Sequence, residues 1–87
     1  MDYKEKFKEV LLSSPHCILG KNGITEQFIT HVTQLLKQHK IIKIKALKSI
    51  ANRNNIKELA SEIARRTDSY LLDVRGKKII ISKINIK

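Results

Sequence analysis

Cys17-Ile18-Leu19-Gly20-Lys21-Asn22-Gly23-Ile24-Thr25-Glu26 is the stretch on which the fold turns. Its three leading apolar residues read as a short buried strand and the next four as a turn. Thr25 then reads as a helix N-cap, with Ile24 and Ile29 spaced as a hydrophobic staple around it. A strand running through a glycine-bounded turn into a helix opens a βα unit. The strand after that helix should therefore lie parallel to the first, through a right-handed crossover.

The pattern extends outward from there. Phe28, Ile29, Val32, Leu35 and Leu36 form the apolar stripe of a helix ending near Lys40, with Lys37, His39 and Lys40 in the last turn, where the helix dipole favours cations. Ile42, Ile44 and Ala46 alternate with Lys43, Lys45 and Leu47, the period-two signature of a strand with one face covered and the other largely wet and basic. Asn55 and Glu58 have capping-box spacing ahead of a third helix, carried by Ile56, Leu59, Ala60, Ile63 and Ala64 and stopping near Thr67. Tyr70 to Arg75 and Lys78 to Lys83 flank Gly76-Lys77 as a tight antiparallel hairpin. Upstream, Tyr3, Phe7, Val10 and Leu11 line one face of a helix opened by an Asp2/Glu5 capping box and ended by Ser13-Ser14-Pro15. The order α-β-α-β-α-β-β predicts an α+β two-layer sandwich of helices on a mixed sheet. With no repeat, low-complexity tract or long linker, residues 1–87 are expected to form one domain.

Charge points to the partner. The 87 residues carry a formal net charge of +10, with 41% apolar and 30% charged residues, the composition of a folding chain with an excess of positive potential. The signs are segregated. No acid occurs from Gln27 to Lys57, a stretch holding Lys37, Lys40, Lys43, Lys45, Lys48, Arg53 and Lys57, and none from Gly76 to Lys87. A polyanion is the expected partner. The lone Cys17 forms no internal disulfide and suits a reducing compartment, so the cytoplasm is the expected location. No window approaches a membrane span.

The Gly20-Lys21-Asn22-Gly23 turn is where an anion is expected to sit. Unpaired amides and the positive dipole end of the second helix point over it, two glycines let a phosphate approach the backbone, and Lys21 adds a mobile charge. The GXXG loop of KH domains clamps nucleic-acid backbone by the same logic. The plainer reading, a strand-to-helix turn that wants Gly and Asn for its own geometry, stays open on the motif alone. Arg53, Lys77 and Lys78 join the candidates because a loop and a hairpin present them.

These features together resemble a known family. The run Leu19-Gly20-Lys21-Asn22-Gly23-Ile24-Thr25-Glu26, the strand Ile41-Ile42-Lys43-Ile44-Lys45 after a helix, and Gly76 before a final Ile-rich strand are similar to the CRM domain, the chloroplast RNA splicing and ribosome maturation module. Its bacterial single-domain members, the YhbY family, match in size and layout. The resemblance implies a fold like the C-terminal domain of translation initiation factor 3, with sheet order 1-2-4-3 and the last strand antiparallel. It also implies RNA binding and association with precursors of the large ribosomal subunit. It assigns the loop's role to Gly20, Lys21, Asn22 and Gly23, and matches Lys43 and Lys45 to the family's basic second strand. The plant members direct intron splicing with several copies and extra segments, which one copy lacks, so splicing is not the inheritance expected here.

Other classes fit less well. With no Trp and only Tyr3, Phe7, Phe28 and Tyr70 as aromatics, three of them on helix core faces, a platform of stacked bases is disfavoured against backbone and shape recognition. Cys17, His16, His31 and His39 match neither zinc spacing nor a nucleophile and base set, so no catalysis, metal or cofactor is expected. Cys17 reads as a small core hydrophobe, and His31 and His39 as solvated helix residues. The alternatives are an Alba-like protein coating duplex DNA, which would dimerise, and a structural protein of finished ribosomes. The expectation is a monomer with RNA as partner, ribosomal RNA or its large-subunit precursor, and with no membrane or small-molecule substrate.

Overall fold

The computed structural model describes residues 2–86; Met1 and Lys87, the latter closing the second acid-free stretch, lie outside the described residues. The elements are α1 (Tyr3–Leu12), β1 (Cys17–Leu19), α2 (Glu26–His39), β2 (Ile41–Ala46), α3 (Ile56–Arg66), β3 (Tyr70–Arg75) and β4 (Lys78–Ser82). They build a four-stranded mixed sheet in the order β1-β2-β4-β3, with β1 parallel to β2 and the other neighbours antiparallel. This is the α+β order and topology expected from the sequence.

Local chemistry sets the boundaries. Asp2 caps α1 by accepting the Lys4 amide at 2.9 Å, and the Ser13 hydroxyl donates back to the Val10 carbonyl at 3.0 Å where the helix ends. Thr25 caps α2, its Oγ1 accepting the Phe28 amide at 3.0 Å. The expected capping box of α3 is corrected. Asn55 has a helical backbone, φ −114° and ψ −8°, and makes no side-chain cap. Its carboxamide accepts the Asn52 amide at 2.7 Å and donates to the Ile50 carbonyl at 2.8 Å. The preceding loop needs those polar atoms to satisfy its own backbone, and that demand outcompetes the helix start.

Register assigns side chains to faces. Ile42 pairs with Ile81 and Ile44 with Ile79, and all four are fully buried beneath α2 and α3 with Leu19, Val32, Leu36, Ala60 and Ile63. Full burial of each such isoleucine contributes roughly 1.5–3 kcal/mol. The opposite face carries a smaller cluster in which Tyr3, Phe7, Val10 and Leu11 of α1 pack on Ile41, Ile80 and Leu72. A bulge between Leu71 and Asp73 lets Leu72 reach that second face. The helical layer against the main core is thus α2 with α3, while α1 packs on the sheet's other face. β1 is an edge strand, and Ile18 is 58% exposed, so only Leu19 of the expected buried run is sealed.

Candidate nucleic-acid interface

Parallel pairing places Leu19, the last residue of β1, beside Ala46, the last of β2. The Ala46 amide donates to the Lys77 carbonyl at 2.8 Å, and the Leu47 amide to the Leu19 carbonyl at 3.1 Å. The Gly20–Gly23 turn, the loop 47–55 after β2 and the Gly76-Lys77 hairpin turn therefore converge at one end of the sheet. This is the end outside the carboxyl ends of the parallel strands, the end at which open α/β sheets bind their ligands. It brings together Lys21, Asn22, Arg53, Lys77 and Lys78 from three segments distant in sequence.

The turn itself is closed by the Gly23 amide donating to the Gly20 carbonyl at 3.0 Å. Lys21 and Asn22 are its two central residues, both exposed, and among the described residues neither makes a hydrogen bond or ion pair. Gly23 has φ 76°, a left-handed conformation that favours glycine, whereas Gly20 lies outside that region with open space around it. The seat expected at the start of α2 is corrected in part. Ile24 and Thr25 separate the turn from the helix, and the Phe28 amide is taken by the protein's own threonine. Glu26 adds a carboxylate in the first turn, held by Arg66 Nη2 at 3.0 Å, while Arg66 Nη1 donates to the Ile24 carbonyl at 3.3 Å. The helix start thus meets its own dipole with its own acid. What faces an incoming anion is the exposed turn with Lys21.

Of the two lysines matched on β2, one leaves the site. Lys43 is 4% exposed, and its ammonium donates to the Leu11 carbonyl at 2.8 Å and the Ser13 carbonyl at 2.7 Å. Burial, and then the charges of Lys78 and Arg75, draw its pKa below the ordinary lysine value. The expectation of a wet basic face holds only for Lys45, which is exposed and pairs with Lys78 of β4. Alternation predicts the face correctly; α1 packed against it removes Lys43 from solvent.

Two hollows flank the hairpin. One, of about 430 Å³, lies between it and the first turn of α3, lined by Arg53, Ile56, Lys57, Val74 and Lys77 among others. The second, of about 300 Å³, lies on the back face, lined by Leu11, Lys43, Arg75, Lys77, Lys78 and Ile80. Among the described residues no acid lines either. Lys57 and Arg75 were not among the sequence candidates. Lys57 lies in the acid-free stretch and opens the first turn of α3, just after the loop that carries Arg53, and its place in that stretch was the signal available. Arg75 is partly engaged by Asp73 at 2.7 Å.

The remaining chemistry-bearing side chains serve packing. Burial pushes the Cys17 thiol up to about 11, which keeps it protonated and unreactive at neutral pH. His39 is half-buried, its ring 4.9 Å from that of His16, instead of solvated as expected; His31 is exposed. Among the described residues no three His, Cys, Asp or Glu side chains gather as metal ligands, and no helix is long and apolar enough to cross a membrane.

Fold and site define a small basic α+β module that presents cations from a turn, a loop and a hairpin at one end of its sheet. The chain belongs to the CRS1 / YhbY (CRM) domain family, matched over residues 4–83. It is 28% identical to the "Probable RNA-binding protein PA4753" of Pseudomonas aeruginosa, over 99% of this chain and 82% of that protein. It also resembles the solution structure of the hypothetical protein SAV1595 from Staphylococcus aureus, described as a candidate RNA-binding protein. There the TM-score is 0.77 and the identity 26%, covering 99% of this chain and 88% of that one.

Proposed function

We propose that this protein is a non-enzymatic RNA-binding module that holds structured RNA by its backbone and assists assembly of the large ribosomal subunit in the cytoplasm. Family membership and the RNA-binding name of the Pseudomonas relative support RNA as the partner class. The observation that carries the reading is the convergence of Lys21, Lys45, Arg53, Lys77 and Lys78 at one end of the sheet. Their lysine and arginine side chains suit phosphate oxygens.

The aromatic residues favour backbone over base reading. Tyr3, Phe7 and Phe28 pack against the two cores. Tyr70 is 47% exposed but starts β3 opposite Ser82, at the other end of the sheet from the basic turn. No stacked platform accompanies the cations, so affinity rests on phosphate contacts and counterion release.

The test has two parts. Binding to a ribosomal RNA fragment is measured against salt. The logarithm of affinity is expected to fall linearly with a slope of roughly −0.7 to −0.9 per neutralised phosphate, and Lys21→Glu to weaken binding at unchanged thermal stability. Flat salt dependence, or full affinity in the variant, counts against the mode of grip. Crosslinking in the protein's own cells, followed by sequencing of the attached nucleic acid, addresses the assembly role. Large-subunit precursor RNA is expected, and genomic DNA would overturn it.

A further inference from the structure

The cavity of about 430 Å³ between α3 and the hairpin has a chemistry that backbone gripping alone does not use. Its inner wall is apolar. Ile56 is 5% exposed and belongs to the main core, against which Val74 also packs. Its remaining wall includes Arg53, Lys57 and Lys77, and among the described residues none of their side chains makes a hydrogen bond or ion pair. Asn52 also lines it. Its side-chain oxygen already accepts the amides of Asn54 and Asn55 at 2.7 and 3.0 Å, which leaves its NH₂ group as a donor.

An apolar wall facing a set of cations selects a ligand with the same two sides. A lone phosphate would need the cations but not Ile56 and Val74, while a purely apolar group would leave three charges unmatched. The volume lies within the range of small-ligand sites. A nucleotide has both parts: a flat, weakly polar base for the aliphatic wall and a phosphate for the ammonium groups. The Arg53 guanidinium adds a plane on which a base can stack.

We propose that this cavity receives one unstacked nucleotide of the bound RNA, its base against Ile56 and Val74 and its phosphate on Lys57 and Lys77. The proposal rests on the RNA-binding reading above and adds a preference to it. The protein selects RNA helices interrupted by an unpaired nucleotide, because such a base enters the cavity without the unpairing cost that a paired base incurs.

Two measurements test it. Protein labelled at isoleucine and valine methyls is titrated with adenosine 5′-monophosphate and, separately, with inorganic phosphate. The Ile56 and Val74 methyl resonances are expected to shift with the nucleotide and not with phosphate; equal responses, or none, overturn the proposal. Two RNA hairpins differing by a single unpaired adenosine are then compared. The bulged hairpin is expected to bind measurably tighter than the paired one. Val74→Phe, which fills the cavity, is expected to abolish that preference while keeping the affinity for the paired hairpin. Lys57→Gln serves if that variant fails to fold, and is expected to reduce the preference. No difference between the hairpins with the native protein, or a preference that survives cavity filling, overturns the proposal. Affinity for the paired hairpin reports the backbone grip separately, so its loss would count against the broader reading instead.

Discussion

The ammonium of Lys43 stands 2.8 Å from the carbonyl oxygen of Leu11, at the end of α1. A second bond to the Ser13 carbonyl, at 2.7 Å, completes the contact. The last turn of α1 contains no basic residue, so its negative dipole end and unpaired carbonyls have no cation of their own. The central strand supplies one from below. Lys43 is therefore a structural residue that fastens α1 to the back of the sheet, two positions from a lysine that faces solvent.

This separates two residues of identical type on one strand. Lys43→Met removes both charge-assisted bonds and is expected to cost about 1.5–3 kcal/mol, with the melting temperature falling roughly 4–8 °C per kcal/mol. Lys45→Met is expected to change stability by less than about 0.5 kcal/mol. RNA affinity should follow the opposite order, falling for Lys45→Met and holding for Lys43→Met below its melting point. Thermal denaturation and fluorescence anisotropy on the two variants check the pair.

His16 gives a pH dependence. Its Nδ1 accepts the Lys43 amide at 3.0 Å, a role open only to the neutral ring. Burial first, and then its neighbours His39, Lys6 and Lys43, hold its pKa below the ordinary histidine value. A histidine whose folded pKa is depressed is protonated more readily in the unfolded chain. The stability it confers is full above about pH 6.5 and declines as the pH falls through the folded value. Urea denaturation at a series of pH values below neutrality should show this decline. His16→Asn, whose carboxamide oxygen can accept the same amide without titrating, should flatten it; an unchanged slope would show that another group is responsible.

Much of this was legible in the residues, and each miss has its own physical cause. Hydrophobic period placed the elements, and Gly76-Lys77 fixed the hairpin, because both signals are local. The convergence of the site follows from the sheet topology: once β1 and β2 are parallel and β4 returns between β2 and β3, the three connections must share one end. Alternation along β2 told which residues share a face but not what would cover it, so Lys43 and Lys45 looked alike until α1 was placed. Asn55 had the spacing of a cap, yet the loop before it had a stronger need for its carboxamide. Lys57 joins the site only because the hairpin lies beside the first turn of α3, a contact between segments that the local spacing does not carry.

The end of α3 carries removable strain. The Ser69 amide donates to the Ala64 carbonyl at 2.9 Å and the Asp68 amide to the Arg65 carbonyl at 3.3 Å, the two bonds of a Schellman motif. Asp68 occupies its left-handed position with φ 52°, where glycine has no Cβ to clash, and its carboxylate sits at the negative end of the helix dipole. Asp68→Gly is expected to stabilise the protein by about 0.5–1 kcal/mol. RNA affinity should be unaffected, since α3 begins at the basic end of the sheet and finishes away from it. Calorimetry and the binding assay together check both halves.

The two glycines of the turn allow folding and binding to be read independently. Gly23 needs its φ of 76° to close the turn, so Gly23→Ala is expected to cost roughly 1–2 kcal/mol in stability. Gly20 lies outside the left-handed region, and a Cβ built there meets nothing within 4 Å. The fold alone does not call for glycine at that position. Gly20→Ala should therefore leave stability unchanged or raise it by about 0.4–1 kcal/mol through a less flexible unfolded chain. If RNA backbone packs against the turn, the added methyl stands where a phosphate or sugar must approach, and affinity should drop although the protein is at least as stable. Thermal melts paired with RNA titrations decide it: a Gly20→Ala protein that folds well and binds at full strength would show that the turn only joins β1 to α2.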